Sequence, residues 1–137
     1  MSVEISITYD GSLRCSATHG PSGQTLLTDA PVDNMGRGEA FSPTDLVATA
    51  LGTCMATTMA IVAQRDGLDL SGMRVKVVKE MATGPSRRIG QLTTHISVPT
   101  KLTPQQRQKL EHAALACPVH KSLHPDVKLP ITFEWGQ

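Results

Sequence analysis

The sequence has few aromatic residues and no excess of charge of either sign. Only four of its 137 residues are Phe, Trp or Tyr, and 13 Lys and Arg residues stand against 12 Asp and Glu residues. A protein that binds nucleic acid normally carries a basic surface, and a single-strand binder also needs aromatic side chains on which bases stack. The composition therefore argues against nucleic acid as a partner.

Cysteine is scarce as well, and the first residues show no targeting segment. The chain has three cysteines, and its opening residues, MSVEISITYD, hold an early acid and no apolar core of signal-peptide length. We therefore expect a cytoplasmic protein whose thiols stay reduced. In that compartment cysteines are more often catalytic, metal-binding or simply buried than joined in a disulfide framework.

Charge is missing altogether from one segment, Leu46–Gln64, with the sequence LVATALGTCMATTMAIVAQ. A run of ~18 uncharged residues can span a membrane. Four of these residues are Thr, one is Gly, and only five are Leu, Ile or Val. That composition favours the core helix of a soluble protein over a membrane span, so we expect no membrane association.

Alternation of apolar and polar residues predicts a set of β-strands. They cover residues 3–9, 13–17, 24–28, 73–77, 92–98 and 127–135. Asp10-Gly11 is the strongest hairpin signal and predicts the turn between the first two strands. Gly84-Pro85 predicts the turn between the fourth and fifth strands, and residues 29–41 have the length of a functional loop.

Helix signals frame the uncharged segment. Ser42 can cap a helix, Pro43 suits its first position, and Asp45 is an acidic version of the capping-box partner. This helix should run to about Asp66, with Gly67 as its C-terminal stop.

A second helix is predicted from Thr103 onward, with Gln106 as the capping partner. Pro118 disfavours helical geometry at Cys117 and should end the helix there. Pro118 can also begin a short further helix, which leaves Cys117 at its N-terminal edge. The order β-β-β-α-β-β-α-β predicts one α+β domain over residues 1–137, in which antiparallel sheet covers two apolar helices.

Two of the cysteines are candidates for chemistry. A thiolate at a helix N-terminus faces free backbone N–H groups and the positive end of the helix dipole, and both would lower the pKa of Cys117. Cys54 lies too far inside its helix for this effect, so its activation would need a cation from another element. For each cysteine the alternative is a small buried core residue. Cys15 alternates with apolar neighbours and is expected to be structural.

The loop before the first helix offers the cation. Arg37 lies between two glycines, which permit unusual backbone turns, and Arg14 is the weaker candidate. Asp45 lies about 180° around the helix from Cys54, so capping suits it better than a place beside that thiol. It remains able to meet Arg37, or a site formed with a second subunit.

A zinc site is a further alternative, because Cys117, His120 and His124 form a C-x2-H-x3-H pattern. Structural zinc takes four ligands, usually with a second close pair elsewhere in the sequence. The sequence offers no such pair, and we expect no metal.

Two motifs resemble the OsmC/Ohr family of thiol-dependent hydroperoxide reductases. SPTDLVATALGTC resembles that family's proline-led helix ending in the reactive cysteine, and CPVHKSL resembles its second-cysteine motif. The separation of the cysteines and the strand pattern agree as well, so the resemblance covers nearly the whole chain. The sequence is more similar to the broad OsmC-like branch than to a typical Ohr protein.

The resemblance implies a role for each candidate residue. Cys54 matches the peroxidatic cysteine, Cys117 the resolving cysteine, and Arg37 the arginine that activates the thiolate. The acid that holds this arginine in the best-studied branches aligns with Thr44 here, and the next residue, Asp45, is an acid instead. The family also implies an intertwined homodimer with active sites at the subunit interface.

The expected function is therefore that of a peroxiredoxin-like cysteine peroxidase in oxidative-stress defence, without metal, haem or another cofactor. It would reduce organic hydroperoxides ahead of hydrogen peroxide, through a Cys54 sulfenic acid and a Cys54–Cys117 disulfide. The family implies an external dithiol, of lipoyl type, as the reductant. The alternative is a dimeric binding module of the same fold, which holds a small apolar or electrophilic ligand without turnover.

Overall fold

The computed structural model of the chain describes residues 1–136. These residues form two compact units, Met1–Val47 and the part of the chain from Ala48 onward, and the boundary falls inside the first long helix. The single domain over residues 1–137 stays a prediction.

The first unit contains an antiparallel sheet of three strands. They are β1 (Ile5–Gly11), β2 (Arg14–His19) and β3 (Thr25–Asp29), in the order β1-β2-β3. A loop with one short 3₁₀ turn, Val32–Asn34, leads from β3 toward the first helix. The three predicted strands are confirmed within one or two residues at their ends.

The turn between β1 and β2 lies later than the sequence predicts. Ser12 and Leu13 form the turn and have φ angles of 55° and 62°, while Gly11 pairs with Arg14. The pairing register shifts between Tyr9 and Gly11, and Gly11 itself has a φ of 88°. The prediction of Asp10-Gly11 as the turn was wrong because the glycine serves a bulge at the end of β1 instead.

The second unit contains the other sheet, in the order β4-β5-β6. The strands are β4 (Arg74–Ala82), β5 (Arg88–Lys101) and β6 (Ile131–Gly136). β4 and β5 are antiparallel, as predicted, but β6 runs parallel to β5. The expectation of purely antiparallel sheet was wrong for that pair. The chain between β5 and β6 crosses over through two helices, and such a crossover returns it in the same direction.

The helices are α1 (Pro43–Arg65), α2 (Pro104–Leu115) and α3 (Pro118–Ser122). Together with the two sheets they confirm the α+β class. By length and apolar composition α1 also meets the criteria for a membrane-crossing helix, although a core helix of a soluble protein meets them equally.

Reciprocal hydrogen bonds begin α1. The Ser42 N–H donates to Asp45 Oδ2 at 3.0 Å, and the Asp45 N–H donates to Ser42 Oγ at 3.0 Å. At the other end, the Gly67 N–H donates to the Gln64 carbonyl and the Leu68 N–H to the Ala63 carbonyl, with Gly67 at a φ of 71°. This is a capping box followed by a Schellman motif, so both predicted ends of the helix are confirmed.

A second capping box begins α2, where the Thr103 and Gln106 side chains each accept a hydrogen bond from the other's backbone N–H. α2 stops before Cys117, whose backbone is extended at φ −65° and ψ 143°. Pro118 then begins α3, as the sequence predicts. The sequence therefore determines the backbone around Cys117 locally.

The buried core residues of the second unit lie on α1, α2 and one face of β5. α1 contributes a stripe at four-residue spacing, and alternate residues of β5 point into the core. The fully or nearly fully buried members are Leu51, Met55, Met59, Leu92, Ile96, Val98, Leu110 and Ala114. Burying each large side chain contributes about 1.5–3 kcal/mol, so this cluster gives α1 a fixed rotation.

Candidate functional site

α1 holds Cys54 at the edge of its buried stripe. The neighbours Leu51 and Met55 are almost completely buried, whereas Cys54 keeps partial exposure. Its helix neighbours on the core side are buried, whereas the thiol-bearing residue itself is partly open to solvent. Cys54 is thus the more accessible of the two candidate thiols.

Cys117 is completely buried and lies beside Cys54. Burial raises the pKa of the Cys117 thiol above its ordinary value of 9.0, the His120 N–H opposes that rise, and a hydrogen bond with the Cys54 side chain adds to it. The expectation of a lowered pKa at the edge of a helix was wrong, because desolvation outweighs the backbone N–H groups of His120 and Val119. Cys117 therefore holds its proton at neutral pH.

The Cys117 sulfur also caps α3. It accepts a hydrogen bond from the His120 N–H at 3.3 Å, in the position usually taken by a Ser or Asp oxygen. Pro118 provides the first residue of α3 and fixes the backbone that follows the sulfur. The two thiols, far apart in sequence, are thus brought together by α1 and by the junction between α2 and α3.

The loop with Arg37 is built inside the first unit around a buried carboxylate, Asp29. Asp29 is 1% exposed, accepts a hydrogen bond from the Glu39 N–H at 3.0 Å, and pairs with Arg14 at 3.4 Å. The Glu39 N–H is the main reason that the pKa of Asp29 is held below its ordinary value of 3.8. Burial opposes this shift, and the Arg14 guanidinium supports it.

The two arginines of the first unit differ in exposure. Arg14 is the more enclosed and pairs with Glu39 at 2.8 Å as well as with Asp29. Arg37 is 79% exposed and pairs with the same Glu39 oxygen at 3.8 Å. The guanidinium of Arg37 is accordingly the one that remains available to solutes.

Asp45 is engaged in the capping box with Ser42, which confirms its predicted structural role. Its assignment to the catalytic site stays a prediction, as do those of Cys54, Cys117 and Arg37. Cys15 lies half-buried on β2, opposite Tyr9 on one side and Thr28 on the other.

The zinc pattern does not gather into a ligand set. Among residues 1–136, no three His, Cys, Asp or Glu side chains lie close enough together to hold a metal ion. The Nδ1 of His124 accepts a hydrogen bond from the Asp126 N–H at 3.0 Å, a local contact in its own turn.

Sequence reasoning missed Asp29 and Glu39, the two acids that hold the loop with Arg37, between β3 and α1, in place. One signal for Glu39 was present, since it lies two residues beyond Arg37. Asp29 gave no such signal, because its pairing with Arg14 depends on the register of β2 with β3, where the two residues lie opposite each other.

A comparison with protein families matches the model for OsmC-like proteins over residues 36–132. The chain belongs to the OsmC-like family. The matched region begins at Gly36, next to Arg37, and includes both Cys54 and Cys117. A comparison with curated proteins gives no match.

Solved structures support the OsmC-like fold over nearly the full chain. A candidate osmotic stress induced and detoxification response protein from Psychrobacter arcticus 273-4 is 42% identical, with 95% of this chain and 94% of that chain covered and a TM-score of 0.90. An organic hydroperoxide resistance protein OsmC from Legionella pneumophila is 17% identical, with 98% and 97% covered and a TM-score of 0.75. OhrB of Bacillus subtilis is 16% identical, with 98% of each chain covered and a TM-score of 0.72. The last two likenesses show the fold.

Proposed function

We propose that this OsmC-like protein is a thiol-dependent peroxidase that reduces organic hydroperoxides, and hydrogen peroxide less readily, in oxidative-stress defence. The observation that carries the proposal is the pair of neighbouring thiols with unequal access, Cys54 partly exposed and Cys117 buried. Membership of the family supports it.

In the first step the Cys54 thiolate attacks an oxygen of the hydroperoxide. The O–O bond breaks, the leaving alkoxide takes a proton and departs as an alcohol, and Cys54 becomes a sulfenic acid. The partial exposure of Cys54 admits the peroxide. Cys117 stays a thiol at neutral pH because of its raised pKa, and burial protects it from direct oxidation.

In the second step the Cys117 sulfur attacks the Cys54 sulfenic acid, a disulfide forms, and water leaves. An external dithiol then reduces the disulfide and becomes a cyclic disulfide itself, which restores both thiols. No metal, haem or organic cofactor is needed in this cycle. We propose a lipoyl-type dithiol as the reductant and the cytoplasm as the site of action.

On the basis of the family resemblance, we propose that Arg37 is the cation that favours the Cys54 thiolate. The exposure of its guanidinium supports this choice over Arg14, whose charge is already balanced by Asp29 and Glu39. Arg37→Lys keeps the charge and loses the planar fork, so it should keep only part of the activity.

The test is consumption of cumene hydroperoxide with dihydrolipoate as the reductant. Cys54→Ser should abolish turnover. Cys117→Ser should consume about one equivalent of peroxide per chain and then stall as a sulfenic acid, since only the resolving step is lost. Cys15→Ser is the matched control and should turn over like the unsubstituted protein.

Normal turnover in Cys117→Ser would remove the resolving role, and turnover in Cys54→Ser would remove the proposed mechanism. If the unsubstituted protein loses no thiols on addition of one equivalent of peroxide, the binding-module alternative is favoured instead.

A further inference from the structure

The backbone on both sides of Arg37 is fixed by close contacts with Ala30. A Cβ added to Gly36 would lie 1.7 Å from the Ala30 carbonyl oxygen, so only glycine fits there. Gly38 has a φ of 64°, and its N–H donates to the same carbonyl at 3.3 Å. The Cα of Arg37 is thus held in one place, whereas its long, exposed side chain retains rotational freedom.

A buried anchor lies next to this fixed turn. Asp29 is at the end of β3, and its carboxylate holds the Glu39 N–H at 3.0 Å and the Arg14 guanidinium at 3.4 Å. Because Asp29 is 1% exposed, solvent competes little for these contacts. The backbone of Glu39 and the head group of Arg14 are therefore both fixed relative to β3.

Glu39 joins this anchor to Arg37. One carboxylate oxygen, Oε1, lies 2.8 Å from Arg14 Nη2 and 3.8 Å from Arg37 Nη1. An isolated ion pair between exposed groups contributes little stability. Here, however, Asp29 already fixes both the backbone of Glu39 and the head group of its other partner, Arg14. Holding Glu39 lowers the entropic cost of restricting Arg37.

We propose that Glu39 is a positioning residue for Arg37, with Asp29 and Arg14 as its anchor. This inference rests on the proposed function, in which Arg37 favours the Cys54 thiolate. Glu39 thus offers a carboxylate from within the arginine's own loop, two residues beyond Arg37.

The test is the alkylation rate of Cys54 by iodoacetamide against pH, in a background that lacks Cys15 and Cys117. Glu39→Gln keeps the shape of the side chain and removes its charge. If Glu39 acted on Cys54 only through space, removing its negative charge would favour the Cys54 thiolate and speed alkylation near neutral pH. If Glu39 instead positions Arg37, its loss should slow the alkylation of Cys54 by about two- to fivefold. That factor corresponds to the coupling energy usually found for an exposed ion pair.

A double-mutant cycle tests whether Glu39 acts through Arg37. We expect the effect of Glu39→Gln to disappear in an Arg37→Ala background, and Glu39→Asp to recover part of the rate. Glu4→Gln removes a charge from an exposed position in the same unit and should leave the profile unchanged.

Three outcomes would overturn the proposal: faster alkylation in Glu39→Gln, an unchanged profile, or the same slowing with and without Arg37. Each leaves the peroxidase proposal intact if Cys54→Ser is inactive and Cys117→Ser stalls after one equivalent. Turnover in Cys54→Ser would instead contradict the peroxidase mechanism itself.

Discussion

At the residue scale, the fixed charges of the first unit depend on Asp29. Its carboxylate is buried at the end of β3 and is kept ionised mainly by the Glu39 N–H, with support from Arg14. A buried carboxylate that lost its charge would leave Arg14 and Glu39 with weaker partners. The contacts of Glu39 and Arg14 with Asp29 should therefore weaken only in strong acid, below the ordinary range of a carboxyl pKa.

Because the pKa of Asp29 is below its ordinary value of 3.8 in the folded protein, unfolding raises its proton affinity. Its stabilising contribution is complete above about 3.8 and is lost as the pH falls through the folded value. We predict that Asp29→Asn lowers the free energy of unfolding at pH 7 and shows less acid-dependent loss as the pH falls below about 4. Urea unfolding at a series of pH values measures this, with Glu4→Gln as the control. Parallel curves for the variant and the unsubstituted protein would contradict it.

At the element scale, the contact of α1 with β4 depends on one glycine. A Cβ at Gly52 would lie 2.9 Å from Val77 Cγ2 and 3.2 Å from Val75 Cγ1. Both partners are β-branched side chains on a strand and have little freedom to turn away. Gly52 thus sets how closely the helix with Cys54 approaches the sheet.

We predict that Gly52→Ala destabilises the protein by roughly 1 kcal/mol. Alanine gains about 1 kcal/mol of helix propensity over glycine, but overpacking at such a contact costs about 1–3 kcal/mol. The measurement is the urea midpoint at constant protein concentration. Thr53→Ala, at the exposed neighbouring position, is the control and should be neutral or slightly stabilising. A stabilised Gly52→Ala would show that α1 can move away from β4.

At the scale of the whole molecule, the sheet of the first unit leaves apolar side chains uncovered. Ile5, Ile7 and Tyr9 alternate along one face of β1, and each is more than half exposed. Leu26 on β3 is exposed on the same face, since it lies in register with Ile7 through Ala17 on β2. Apolar clusters of this kind mark interaction surfaces, and a second copy of the chain is the partner we propose.

We predict that the protein sediments at twice the chain mass of 14.7 kDa. Ile7→Glu should shift the equilibrium toward single chains, because a charge would be buried in the interface. Val78→Glu places the same charge on an exposed apolar position of the second unit and should leave the mass unchanged. Sedimentation equilibrium over a range of concentrations measures both. A mass of 14.7 kDa for the unsubstituted protein would contradict the dimer.

The sequence by itself determined the features that depend on neighbours within one helical turn. Ser42 with Asp45 and Thr103 with Gln106 begin their helices as predicted, because a capping box joins residues three positions apart. Pro118 likewise fixes the extended backbone of Cys117. The two cysteines could be chosen as candidates from such local signals and from the family resemblance.

Only the tertiary structure decided what depends on packing between distant segments. It placed Cys54 beside Cys117. It also raised the pKa of Cys117, because desolvation by burial exceeds the effect of the two local N–H groups, those of His120 and Val119. It also set β6 parallel to β5. The register of β2 with β3 placed Arg14 opposite Asp29, and Asp29 in turn holds the backbone of Glu39, whose carboxylate pairs with Arg14 and Arg37. Burial and register are properties of the packed chain, and no short stretch of sequence specifies them.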